Sequence, residues 1–325
     1  HLSCVAAGLG PGDEAIVSGM TFVSTPAAVR MTGATPVLCE ISGTHDFNLD
    51  VQEVERLITP RTRAVIAVHC FGYPAPIERL RELCDERGLI LIEDSAQAVG
   101  AHVGDDGQRT GTVGDLGCFS FFSKNQLPVG EGGMITTRHE DLGAKVRSLR
   151  SHAMTSVTWD RHRGHSDNYD VLDVGYNYRM DEPRAALAIA RLDSLEQQIE
   201  ARRELARQYR RKLAGIESIE FVWDDAAVER ASHFAFPVVL RDRASRDAFR
   251  TRLRDLGVQT TAYPAIHRFT DYASEYGELS LPRLEAVADR HCVLPMSAHV
   301  SSRDVEIVVE AVREAAAELV GSAAA

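Results

Sequence analysis

The sequence is short of the features that would place a chain in a membrane or on a nucleic acid. No apolar run is long enough to span a bilayer, and no signal-peptide pattern opens the chain. Basic residues are outnumbered: 36 Lys and Arg face 47 Asp and Glu, a formal charge of −11. Such an acidic balance argues against nucleic acid or an anionic membrane as a partner, since either requires a basic face. Cysteine is sparse as well. Cys4, Cys39, Cys70, Cys84, Cys118 and Cys292 are scattered, with no CxxC pair and no metal-ligand spacing. They read as buried free thiols in a reducing, cytoplasmic compartment, with no metal site. Internal repeats and low-complexity linkers are missing too.

What remains is an ordinary globular composition, 44 % hydrophobic and 26 % charged over 325 residues, long enough for two domains. His1 to Gly10 reads as the back half of a helix stopped by Gly8 and Gly10, so an N-terminal piece is expected to precede it. From 15 to 138, Val- and Ile-rich runs (15–18, 36–41, 64–68, 89–93) alternate with helical spacing at 26–31, 51–57 and 77–87. That alternation predicts a mostly parallel sheet covered on both faces. The runs 118–122 and 134–137 read as paired strands joined by a tight turn through the GEGG of 130–133.

A single long helix is expected from about Asp181 to Leu213, with Pro183 in its first turn and an apolar stripe of Ala188, Leu192, Leu195 and Ile199. Strands near 219–222 and 234–240, with helices near 246–256, 283–291 and 304–317, complete a smaller α+β unit. The predicted fold class is α/β, with a large domain (1–205) and a small C-terminal one (206–325).

Four clusters carry chemistry, each with a plainer reading beside it. Asp94, in Glu93-Asp94-Ser95-Ala96-Gln97, follows a buried strand, where ligands of open α/β sheets bind; it could equally cap the next element. Lys124 follows the run Cys118 to Ser123. It could be a Schiff-base amine or a surface lysine that snorkels to solvent. Gly175-Tyr176-Asn177-Tyr178-Arg179 precedes a helix start suited to phosphate, or is a polar loop packed by two tyrosines. The stretch 151–163, with His152, Trp159, Arg161, His162 and Arg163, reads as an active-site lid or as an exposed polar loop.

Taken in order, these clusters resemble the DegT/StrS family of sugar aminotransferases, pyridoxal-phosphate (PLP) proteins of fold type I. The resemblance runs through GLGPGDE (8–14), TFVST (21–25), EDSAQAVGA (93–101), GDLGCFSFF (114–122), GYNYR (175–179), YPAIH (263–267) and VLPM (293–296). It implies that Asp94 pairs with the pyridine nitrogen and Gln97 lies near the ring hydroxyl. Phe22 would stack on the ring, and Ser120 would bind the phosphate. Asn177, with Arg179, would reach the phosphate of a neighbouring subunit, which implies a homodimer with a shared site. His152, Trp159, Arg161, His162 and Arg163 are candidate contacts for a nucleotide sugar.

Two departures stand out. The family's Schiff-base lysine falls at Asn125, five residues after Ser120, while Lys124 sits one place early. The Gly-Thr helix start that holds the cofactor phosphate in the family has no counterpart here. Three readings follow. The first is a nucleotide-sugar (keto-sugar or amino-cyclitol) aminotransferase using glutamate or glutamine through PLP or pyridoxamine phosphate (PMP), with a changed or shifted lysine. The second is a lysine-free PLP/PMP sugar dehydratase, whose relatives place histidine at that position. The third is a non-catalytic binding subunit.

Overall fold

The computed structural model describes residues 1–104, 107–156 and 168–323. In chain order its strands are β1 (Glu14–Ser18), β2 (Thr35–Cys39), β3 (Ile41–Gly43), β4 (Asp46–Leu49), β5 (Thr62–Val68), β6 (Ile90–Asp94), β7 (His102–Val103), β8 (Gln108–Arg109), β9 (Leu116–Ser120), β10 (Gly133–Thr136), β11 (Glu220–Phe221), β12 (Phe236–Val239) and β13 (His291–Leu294). The central sheet has the order β10-β9-β6-β5-β1-β2, with every pair parallel except β10 on β9. Two small ribbons, β3-β4 and β7-β8, lie outside it.

Alternation along the strands explains why both faces are covered. In β5, Ala64 and Ile66 join one apolar cluster while Val65 and Ala67 join another; in β1, Ala15 and Val17 oppose Ile16 in the same way. The helix Ile77–Arg87 covers the second face with Ile77, Leu80 and Cys84, as its spacing predicts. The first cluster continues into the smaller sheet, β11-β12-β13, where Phe236, Val238 and Leu294 pack.

The chain places β1 and β2 in one direction and then returns past β1 to lay down β5, β6 and β9. The strand order therefore reverses between β1 and β5, and a crevice opens there at the carboxyl ends of the strands. Gly72, just past β5, has φ +90°, and a Cβ on it would meet Phe234 N at 2.8 Å. Only glycine lets the loop after β5 approach the smaller unit that closely. Ser232 N donates to Gly72 O and Phe234 N to Phe71 O across this contact.

Three details differ from the sequence reading. The β9–β10 connection is not a tight turn: residues 121–132 intervene and bury Asn125, Gln126 and Leu127. The expected long helix is two helices, Glu182–Leu192 and Leu195–Leu213. The break falls at Asp193-Ser194, where the Ser194 hydroxyl donates to Arg191 O at 3.1 Å and competes with the helical ladder. Because of that break, Leu192 is 51 % exposed instead of continuing the buried stripe of Ala188, Leu195 and Ile199.

Candidate active site at the carboxyl edge of the sheet

The last two residues of β6 are carboxylates on opposite faces, as the strand pleat demands. Glu93 points inward and is enclosed. Its oxygens accept from Gly111 N (2.8 Å), Val113 N (2.7 Å) and Gly114 N (2.6 Å), and one lies 2.9 Å from His69 Nε2. Burial alone would raise its pKa, but the His69 contact and the backbone donors outweigh this and leave the carboxyl below its ordinary value.

Asp94 opens the other way and is half-buried. Its Oδ2 accepts from Thr25 Oγ1 at 2.7 Å, and its Oδ1 from Ala96 N at 3.1 Å. Thr25 in turn lies 2.9 Å from Thr21 Oγ1, so with its own proton committed to Asp94 it accepts from Thr21. The Cys4 and Cys118 thiols nearby are raised, first by burial and then by the charge of Asp94; Cys118 is pushed up to about 11. Both stay protonated at neutral pH.

Phe22 follows β1 and is 59 % exposed, an uncommon position for a large apolar ring. It shares the crevice at the β1/β5 reversal with Thr21, Cys70, Phe71, Gln97 and Tyr263. Gln97 Oε1 accepts from Phe71 N at 2.8 Å, which fixes the amide and turns its NH2 end toward other partners.

Ser120 ends β9, the strand paired to β6 with Asp94 opposite Cys118. Its Oγ accepts from Phe122 N at 3.2 Å. The next segment settles where residues 124 and 125 point. Asn125 is buried, and its Nδ2 donates to Ala96 O (2.9 Å) and Ser120 O (3.1 Å), tying the ends of β6 and β9 together. Lys124 is exposed and, with Asn125, lines a cleft of about 790 Å³ that also takes in Arg191, Arg202, Tyr263 and Val293.

The remaining candidates lie apart from this cluster. Residues 151–154 and 171–177 form an antiparallel arm, with bridges Ser151–Asn177 and Met154–Val171. Asn177 and Arg179 are exposed on it, and Arg179 Nη1 donates to Ser151 Oγ at 3.2 Å. His152 is exposed, with φ +64° and its N–H donating to Tyr176 O. Trp159, Arg161, His162 and Arg163 lie outside the described residues. Among the described residues no group of three His, Cys, Asp or Glu could hold a metal, and no helix is long and apolar enough to cross a membrane.

The sequence profile of the DegT/DnrJ/EryC1/StrS aminotransferase family matches residues 1–313. The chain belongs to that family. A GDP-perosamine synthase of Caulobacter vibrioides is 35 % identical over 314 residues, 96 % of this chain and 81 % of that protein. DesV of S. venezuelae, solved in complex with ketimine intermediate, matches at TM-score 0.87 and 35 % identity, covering 97 % of this chain and 81 % of its own. The ntda protein of Bacillus subtilis, solved with bound cofactor PMP, matches at TM-score 0.85 and 26 % identity over 97 % and 70 %. The fold of this aminotransferase family member is therefore that of the PLP-dependent sugar aminotransferases, and the PLP/PMP pair is the cofactor the family indicates.

The residues present fit the ring of that cofactor but not its covalent attachment. A carboxylate ends β6, a fixed glutamine amide follows it, an exposed aromatic follows β1 and a serine hydroxyl ends β9. The position where the family's lysine is expected holds a buried amide already engaged with two carbonyls. Sequence reasoning missed Thr25 and Tyr263 as site residues, although both sit inside motifs it quoted. Their significance depends on which strand ends lie side by side, and only the fold supplies that.

Proposed function

We propose that this chain holds PLP or PMP without a covalent bond in the crevice between Phe22, Asp94, Gln97 and Ser120, as a nucleotide-sugar aminotransferase homologue acting on a keto sugar or amino cyclitol. The observation that carries this reading is Asn125. Its carboxamide cannot serve as an amine nucleophile, and its hydrogen bonds to Ala96 O and Ser120 O make it a clamp between the segments that end β6 and β9. PLP, when bound, supplies an electron sink for chemistry at an amino-bearing carbon. In the proposed site Asp94, oriented by Thr25 and Ala96 N–H, keeps the ring nitrogen protonated. Phe22 covers one ring face, Gln97 donates to the ring hydroxyl, and Ser120 binds the phosphate.

A second copy of the chain completes the proposed site. The described residues of the arm, 151–156 and 168–178, leave Tyr169, Val171, Leu172, Val174 and Tyr178 exposed, an apolar surface that a partner would cover. Asn177 and Arg179 would then reach the partner's phosphate pocket, beside His152, Trp159, Arg161, His162 and Arg163 as sugar contacts. Glutamate or glutamine is the proposed amino donor. The six free thiols suit a reducing cytoplasm.

The test is to titrate the protein with PLP, reduce the complex with borohydride and map the peptides by mass spectrometry. The expected result is saturable PLP binding with no pyridoxyl adduct. An adduct on Lys124 would overturn the non-covalent reading in favour of a shifted lysine. Absence of PLP binding would overturn the cofactor assignment itself. Asn125→Lys, treated in the same way, is expected to yield an adduct at residue 125.

A further inference from the structure

Away from the crevice and the cleft, the helix Arg243–Asp255 presents Arg243, Arg246 and Arg250 about a turn apart along one side. With Arg268 they line a pocket of about 290 Å³ in the smaller unit, at the small end of ligand sites. The pocket shares no lining residue with the crevice or the cleft. Four arginines meet a single lining carboxylate, Asp289, in a chain of formal charge −11. Asp289 already accepts from Arg268 Nη1 at 2.8 Å, and Glu285, outside the lining, from Arg268 Nη2 at 3.5 Å. Asp247, also outside it, accepts from Arg246 Nε at 2.5 Å and lies 3.8 Å from Arg243 Nε.

Among the described residues Arg250 has no carboxylate within 4 Å. Its Nε donates to Thr260 Oγ1 (3.2 Å) and its Nη2 to Thr260 O (3.3 Å), so the fork is held in place while Nη1 has no partner. Arg246 is only 7 % exposed; its Nη1 donates to Ala288 O at 3.2 Å, and its Nη2 has no partner among the described residues. Burial lowers His291 to about 4, and against the hydrogen bond to Val287 O the charges of Arg246 and Arg250 add to that shift. Their positive field therefore extends into β13. A charged group buried to this extent with a donor unused is unfavourable, and like charges a turn apart on a helix repel. An oxyanion with an acceptor for each fork relieves both. Two pre-oriented guanidinium groups, with the charges of Arg243 and Arg268 beside them, suit a dianion with several oxygens better than a carboxylate.

We propose that this pocket binds a phosphate group, free or esterified to a small molecule, with Arg246 and Arg250 as its hydrogen-bonding ligands and Arg243 and Arg268 supplying charge. Because the pocket and the crevice have no residue in common, its occupancy does not depend on whether PLP binds.

The experiment is isothermal titration calorimetry of the full chain against inorganic phosphate, glycerol 3-phosphate and acetate, at low and high salt. Expected are saturable phosphate binding weakened by salt, far weaker acetate binding, and at least about a tenfold loss of phosphate affinity in Arg250→Gln. Arg250→Lys, which keeps the charge but not the fork, is expected to fall between the two. Ser120→Ala is expected to bind phosphate as the unaltered chain does, because Ser120 lies outside the pocket. Thermal melts verify that the variants fold; should Arg250→Gln not fold, Arg243→Gln, at a side chain 69 % exposed, is expected to lose about threefold. Tighter binding of glycerol 3-phosphate than of phosphate assigns the site to an ester, and the reverse assigns it to the free ion. The proposal is overturned if phosphate does not saturate, if acetate binds as tightly, if the folded arginine variants bind unchanged, or if Ser120→Ala abolishes binding.

Discussion

Glu93 and Asp94 are neighbours on one strand with the same functional group and opposite fates. Glu93 faces inward, is fully enclosed and holds the 111–114 loop through three backbone N–H groups and His69. Asp94 lies on the opposite face, keeps part of its surface open and is held by one hydroxyl and one N–H. The contrast shows that a carboxylate in a sheet is assigned to structure or to chemistry by the pleat and by which end of the strand it occupies. A similar division separates Asn125, buried with its amide on Ala96 O and Ser120 O, from the exposed Lys124 beside it.

The sharpest way to break the comparison is to remove each carboxylate. Glu93→Ala leaves three backbone donors and His69 facing an enclosed void, with an expected loss of about 3–5 kcal/mol in denaturant unfolding. Asp94→Ala is expected to cost under about 1 kcal/mol of stability but to lower PLP affinity by roughly tenfold or more in a fluorescence titration. If the two variants behaved alike, the division between structure and chemistry would fail.

Acid sharpens it further. The folded pKa of Glu93 is depressed, so its contribution to stability is complete above the ordinary glutamate range and is lost as pH falls through the folded value. In the smaller unit, burial lowers His233 to about 3 and His291 to about 4, so the unfolded state takes up protons first. Stability is expected to decline below the ordinary histidine value of 6.5, at up to about 1.4 kcal/mol per pH unit for each. Denaturant midpoints measured from pH 7 to 4 check this, and His291→Gln should flatten the upper part of the decline.

The smallest effects lie on the crevice wall. Phe22→Ala removes a ring that is already 59 % exposed, so stability should hardly change while PLP affinity falls by about threefold to tenfold. Thr25→Val removes the hydroxyl that orients Asp94 and is expected to weaken PLP binding by several-fold, with Thr25→Ser restoring most of it.

Much of this architecture was legible before any coordinates. Continuous Val- and Ile-rich runs at 15–18, 64–68 and 89–93 and the helical spacing of Ile77, Leu80 and Cys84 produce a parallel sheet covered on both faces, because burial of those residues admits few alternatives. The motif order identified the family and singled out Asp94, Gln97 and Ser120. Two features were misread because local signals competed. Asp193-Ser194 interrupts an otherwise helical stripe, and the glycines of 130–133 resemble a tight turn although Asn125, Gln126 and Leu127 are drawn into the core.

Sequence by itself determined that this protein is an α/β member of an aminotransferase family, with an amide where the family's lysine is expected. Tertiary structure alone decided what that amide does. Hydrogen bonds from Asn125 to the ends of two strands, the proton that Thr25 gives to Asp94, and the gathering of Lys124, Arg191 and Arg202 around one cleft join residues far apart in the chain. Such pairings follow from strand order and domain packing, which local residue patterns do not encode.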